Sequence, residues 1–244
     1  MAAAKTIIVT GASRGIGHAT ALRFHTEGWR VITVSRDPPP GQCPWSLGRS
    51  HILLDLSRLD NIAHCVEVMR GMLDGGELHA LVNNAGTSPK GPGGSRLNSL
   101  ETDIAVWQSM YNTNFYAPLL LTRGFAAELS KARGAVVNLT SIAGSRVHKF
   151  AGSAYATSKA ALAALTRELA FDLAPAGVRV NAIAPGEIDT TILSPGTSEI
   201  VERDIPMRRL GTIEEVASLI WFLCSSEAAY ITGAEIPLNG GQHV

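Results

Sequence analysis

The chain has 244 residues, enough for one α/β unit built around a single extended sheet. Hydrophobic residues make up 45% and charged residues 17%, which suits a packed core and excludes a disordered or fibrous chain. The 21 basic and 21 acidic side chains cancel, so no global field draws the protein towards nucleic acid or an anionic membrane. In chain order, short aliphatic runs alternate with longer helical stretches. "TIIVTG" is followed by "GHATALRFHTEG" and "VITVS", and then come "HILLD", "ALVNNAG", "GAVVNLTS", "VRVNAIAP" and "AEIPLNG". The runs are nearly continuous in apolar residues, as parallel strands covered by helices on both faces require. The expected fold class is therefore α/β, a doubly wound, mainly parallel sheet of about seven strands in a single Rossmann-like domain spanning residues 1–244.

Between the second and third runs, "RDPPPGQCPWSLGRS" is too rich in proline to carry a normal crossover helix, so an irregular connection is expected. Further on, Thr212 and Glu215 form a capping box ahead of Ile213, Val216, Ile220 and Leu223, which line one face of a helix. Cys43, Cys65 and Cys224 show no C-x-x-C spacing and leave one cysteine over under any disulfide scheme, which fits a reducing compartment. "MAAAKTIIVTG" lacks the apolar stretch of a secretory signal and no apolar run reaches membrane-spanning length, so the expected location is cytoplasmic. The seven histidines are scattered without metal-ligand spacing, and no metal site is expected.

The first strand runs into "TGASRGIG", with glycines at Gly11, Gly15 and Gly17. A glycine turn opening a helix presents backbone amides to an anion, and a dinucleotide pyrophosphate suits it. At the end of the second strand, where an acid would bind the ribose of NAD, the sequence has Ser35 and Arg36. A guanidinium suits the extra phosphate of NADP, and Arg14 inside the glycine loop is within reach of the same group, so NADP is favoured over NAD. In "SAYATSK", Tyr155 and Lys159 lie one helical turn apart on one face. An ammonium there favours phenolate, bringing a phenol that ordinarily titrates near about 10 towards useful acid/base strength. Ser141, at the carboxyl end of "GAVVNLTS", is placed to hydrogen-bond a substrate carbonyl.

The ordered set of "TGASRGIG", "NNAG", Asn114 in "NTNFYAP", Ser141, "YATSK" and "APG" resembles the short-chain dehydrogenase/reductase family along essentially the whole chain. The resemblance implies a catalytic tetrad of Asn114, Ser141, Tyr155 and Lys159. In it Ser141 and Tyr155 polarise a carbonyl, Lys159 lowers the tyrosine pKa and holds the nicotinamide ribose, and Asn114 supports a water in a proton relay. It also implies cofactor contacts from Gly11, Gly15 and Gly17, from Arg14 and Arg36 at positions kept basic in NADP-preferring members, and from Asp55 beside adenine. Asn83, Ala85 and Gly86 border the cofactor in the family, and Pro185, Gly186, Ile188 and Thr190 meet the nicotinamide. The neighbouring Ser13, Ile16, Ser35 and Leu56, with Tyr155 and Lys159, complete the expected contact set. His148 falls where family members line the substrate pocket, either to bind a polar or acidic substrate group or as an exposed loop histidine that needs no function. Residues 187–210 and 87–100 would shape that pocket, with Ile188, Ile192, Leu193, Ile200, Ile205 and Met207 giving either a partly apolar lid or a packing face for a neighbouring subunit. The expected activity is NADP(H)-dependent hydride transfer between nicotinamide and a small carbonyl or alcohol, in a homo-oligomer with a tetramer favoured. The alternative is a redox sensor that binds dinucleotide without turning it over.

Overall fold

The computed structural model describes residues 4–39, 41, 43–45, 50–190 and 196–244. The first half of the chain builds β1 (Thr6–Thr10), α1 (Gly15–Thr26), β2 (Arg30–Ser35), β3 (His51–Leu53), α2 (Ile62–Arg70) and β4 (Ala80–Asn83). The second half builds α3 (Ile104–Tyr111), α4 (Ala117–Gly124), α5 (Ala126–Ala132), β5 (Ala135–Leu139), α6 (Ser153–Leu173), β6 (Arg179–Pro185), α7 (Thr197–Arg203), α8 (Ile213–Cys224) and β7 (Glu235–Leu238). The described strands form one seven-stranded sheet in the order β3-β2-β1-β4-β5-β6-β7, with every neighbouring pair parallel. The fold is the Rossmann-like, doubly wound arrangement expected from the aliphatic runs. Strand order reverses between β1 and β4, and in such sheets the crevice at the carboxyl ends beside the reversal is where ligands bind.

Strand alternation sends apolar side chains to both faces of the sheet. Ile7 and Val9 of β1 enter one core with α1 and α8, and Ile8 between them enters the other with α2, α4 and α5. All three are fully buried. Phe24 of α1 meets Trp221 of α8 edge-on at 5.0 Å between ring centroids, which fixes how these two helices lie on the sheet. The Thr212–Glu215 capping box forms in both directions, at 3.2 Å and 2.8 Å, as the sequence predicts.

The described part of the proline-rich connection carries no helix, again as expected. Cys43 and Trp45 fold back from it into the core beside α1, with the Trp45 ring 5.3 Å from that of His18. Pro40, Gln42 and residues 46–49 of that segment, and Ile192 and Leu193 of the expected lid, lie outside the described residues. Of the other lid residues, Ile188, Ile200 and Ile205 are buried and Met207 is exposed. All three cysteines are buried. No helix among the described residues is long and apolar enough to cross a membrane.

Candidate active site

At the strand-order reversal a cleft of 690 Å³ runs along the carboxyl edge of the sheet. Its floor comes from the ends of four strands: Gly11 after β1, Ala85 and Gly86 after β4, Ser141 after β5, and Gly186 after β6. Two side chains lock the loops there. The Thr10 hydroxyl accepts hydrogen bonds from the amides of Asn84 and Ala85 at 3.1 Å and 3.0 Å. The Asn84 side-chain Nδ2 in turn donates to the carbonyls of Thr10 and Gly11 at 2.9 Å and 3.1 Å. Asn84 escaped the sequence reading because two asparagines adjoin and strand alternation gives them different fates. Asn83 points into the sheet, donating to Asn138 at 2.9 Å, and does not line the cleft.

The glycine loop fits a pyrophosphate. Gly11 has φ +68°, and a Cβ there would lie 2.8 Å from the Ala85 Cα. A Cβ on Gly17 would lie 2.3 Å from the Gly11 carbonyl oxygen, so only glycine lets α1 start this close to the loop. Arg14, at the N-cap of α1, makes no side-chain cap, and the first turn holds no acid. The amides of that turn are left facing a cleft wall without a carboxylate to satisfy them, which is the environment an anion takes.

At the far end of β2, the Ser35 hydroxyl donates to the Asp37 carbonyl at 2.7 Å and also contacts the His51 ring at 3.3 Å. Arg14, Arg36, Asp37 and Asp55 line the cleft here and are exposed. Asp55 accepts the Ser57 amide at 2.9 Å, and this bond, aided by the Arg36 and Arg58 charges, holds its carboxyl below the usual range. It therefore acts as a local turn cap while also facing the cleft. Ser13, Gly15, Ile16, Leu56, Pro185, Ile188 and Thr190 complete the walls.

Ser141, Tyr155 and Lys159 line the other end of the same cleft. The Lys159 ammonium is buried, donates to the Leu139 carbonyl at 2.6 Å, and sits 5.8 Å from the centre of the Tyr155 ring. The helical spacing thus places both groups on one face, as read from the sequence. The expected electrostatic consequence needs correction. Burial raises the Tyr155 phenol above its ordinary pKa, the Glu187 carboxylate adds to the rise, and only a hydrogen bond with Ser141 opposes them. Burial also lowers Lys159, to about 8, because a desolvated ammonium is disfavoured. The phenol is therefore held protonated at neutral pH.

Asn114 occupies a one-turn π-helical segment, residues 112–116, between α3 and α4, a distortion frequent at functional sites. It is fully buried and stands behind the cleft wall. Its side chain accepts from the Thr87 amide at 2.9 Å and donates to the Thr87 carbonyl at 3.1 Å and to the Ser158 hydroxyl at 3.0 Å. Those bonds tie the loop after β4 to the helix that carries Tyr155. A Cβ on Gly86 would come within 3.3 Å of the Lys159 nitrogen, so this loop passes directly over the ammonium.

His148 lines the cleft and does not stand free. Its Nε2 lies 2.7 Å from Glu187 Oε1, and its Nδ1 accepts the Phe150 amide at 3.2 Å. An accepting Nδ1 places the ring proton on Nε2, so a neutral imidazole donates to the carboxylate. Lys90 joins the group by donating to the Phe150 carbonyl.

A parallel sheet with a glycine-rich first turn and a half-buried tyrosine beside a buried lysine at its carboxyl edge defines a dinucleotide-binding oxidoreductase class. Comparison with known proteins gives the family. Residues 11–243 match the family described as Enoyl-(Acyl carrier protein) reductase. The chain is 56% identical to Protein FixR of Bradyrhizobium diazoefficiens over 242 residues, covering 98% of this chain and 87% of that one. It is 34% identical to the 3-oxoacyl-[acyl-carrier-protein] reductase FabG of Pseudomonas aeruginosa, covering 98% of each. A crystal structure of a short-chain dehydrogenase/reductase family oxidoreductase from Brucella ovis, in complex with a partially ordered NAD, superposes with a TM-score of 0.83. That protein is 53% identical, over 97% of this chain and all of that one. The chain belongs to the short-chain dehydrogenase/reductase family, whose members use nicotinamide dinucleotides to interconvert carbonyls and alcohols of small molecules.

Proposed function

We propose that this protein transfers a hydride between NADP(H) and a small carbonyl or alcohol, with Tyr155 as the acid/base. The observation that carries the reading is the continuity of one cleft from the glycine loop to Tyr155, Ser141 and Lys159. When bound, the nicotinamide supplies or receives the hydride. In the reducing direction the Ser141 and Tyr155 hydroxyls orient the carbonyl oxygen, and Tyr155 gives its proton to that oxygen as the alkoxide forms. The raised Tyr155 pKa keeps that proton in place at neutral pH, the protonation state from which reduction starts. Lys159, backed by the Leu139 carbonyl, borders the place a nicotinamide ribose would take and returns positive charge towards the phenol when protonated. Asn114 fixes the spacing between the Gly86–Thr87 loop and α6, and on this reading supports the proton path from behind.

Arg14 and Arg36 supply the charge for the extra phosphate of NADP. A second reading of the cofactor has support in Asp37, which lines the same end of the cleft and suits the free ribose hydroxyls of NAD, and in the NAD named for the Brucella ovis structure. We also read the chain as a homo-oligomer, since Ile104, Tyr116 and Phe171 on the outer helices are exposed apolar side chains. Parallel assays with NADPH and NADH over a carbonyl panel, with Tyr155→Phe as control, test the function. Dinucleotide binding without turnover of any carbonyl would return the protein to the sensor alternative.

A further inference from the structure

The substrate end of the cleft holds two opposite charges that do not neutralise each other directly. Lys90, on the loop after β4, and Glu187, after β6, both line it, together with Ser141 and Tyr155. The Glu187 charge acts on Lys90, yet among the described residues no ion pair joins them. Each is held from behind. Lys90 donates to the Phe150 carbonyl and Glu187 Oε1 accepts from His148, while the Phe150 amide donates to that same histidine. Residues 148–150 thus form a strap that presents an ammonium on one side and a carboxylate on the other. No described hydrogen bond uses Glu187 Oε2, and one described acceptor engages Lys90, leaving two of its three protons to spare.

We propose that the gap between Lys90 and Glu187 receives a neutral hydroxyl next to the reacting carbon, so that the favoured substrates are hydroxylated carbonyl compounds and their diols. This rests on the oxidoreductase reading above and names its substrate class. A hydroxyl accepts from the ammonium and donates to the carboxylate at once. A substrate carboxylate on Lys90 would meet the Glu187 charge, and a cationic group on Glu187 would meet Lys90. A long acyl chain would strip water from both charges and return no hydrogen bond. A site built around hydrogen bonds to a substrate hydroxyl rejects the analogue that lacks one, because its own polar groups are then left unpaired.

Hydroxyacetone and butanone differ by a hydroxyl in place of a methyl and make the decisive pair, with pyruvate and an acetoacetyl thioester alongside. The expected result is a kcat/KM for hydroxyacetone at least about ten-fold above butanone, as charge-assisted hydrogen bonds give. That ratio should fall towards one in both Glu187→Gln and Lys90→Met. Taking the ratio within each enzyme cancels any effect of the substitution on Tyr155, on the dinucleotide or on folding. A wild-type ratio near one, a preference for pyruvate or the thioester, or a ratio unmoved in both variants would overturn the inference. Should no carbonyl be turned over, the oxidoreductase reading fails separately, and thermal stabilisation by 1,2-propanediol against 2-butanol still decides. Stabilisation by the diol alone that disappears in Glu187→Gln supports the hydroxyl site, and equal shifts reject it.

Discussion

The two ends of the cleft are built differently. At the reaction end Asn114, Ser158 and Lys159 are buried, and their polar atoms are bonded to backbone or to one another across three elements. At the adenosine end Arg14, Arg36, Asp37 and Asp55 are exposed, and Ser35 is tied only within its own turn and to His51. Rigid, desolvated groups keep a reacting geometry within fractions of an ångström, which proton transfer needs. Solvated charges select between two cofactors that differ by one phosphate, and can change with little cost to the fold.

Substitutions at each end sharpen that contrast. Tyr155→Phe is expected to lower kcat by about 10² to 10⁴ while dinucleotide affinity, followed by nicotinamide fluorescence, stays close to wild type. Undiminished turnover would remove the tyrosine from the chemistry. Gly17→Ala places a methyl against the Gly11 carbonyl, and should cost about 1–3 kcal/mol in urea denaturation together with loss of dinucleotide binding. An unchanged midpoint would mean that the loop gives way more readily than its contacts suggest. Arg36→Ala should lower the NADPH over NADH preference by about ten-fold, the scale of a charged hydrogen bond, with the NADPH Kd losing part of its salt dependence. If the ratio does not move, Arg36 takes no part in the choice between the two cofactors.

A further effect is a pH dependence of stability. Burial holds Lys159 at about 8, below its ordinary 10.5, so between those values the unfolded chain binds the extra proton. Stability from this group is complete above about 10.5 and is lost as pH falls through about 8. Lys159→Met should flatten that part of the curve relative to wild type. Parallel curves would show that the ammonium is better solvated than its burial implies.

The sheet was legible because parallel strands buried on both faces leave unbroken aliphatic runs, and their carboxyl ends then locate the cleft without further information. Tyr155 and Lys159 were legible for a local reason, since four residues of helix bring two side chains to one face. The sign of the tyrosine shift was not. It depends on the depth of burial and on Glu187, which comes from the end of β6, 32 residues further along the chain. The strap through Lys90, His148, Phe150 and Glu187 joins three loops with no shared period, so no local pattern announces it. The contacts of His148 show it holding the Glu187 carboxylate, a partner 39 positions away that no local pattern reveals.

Thr10 and Asn84 stitch the loop after β1 to the loop after β4, so the lips of the crevice move as one piece. A dinucleotide then meets a berth that needs no jaw-like opening, and little of its binding energy is spent on rearranging the scaffold. Loosening that stitch with Asn84→Ala would show up first as slower capture and faster escape of the coenzyme, well before the fold itself began to fail.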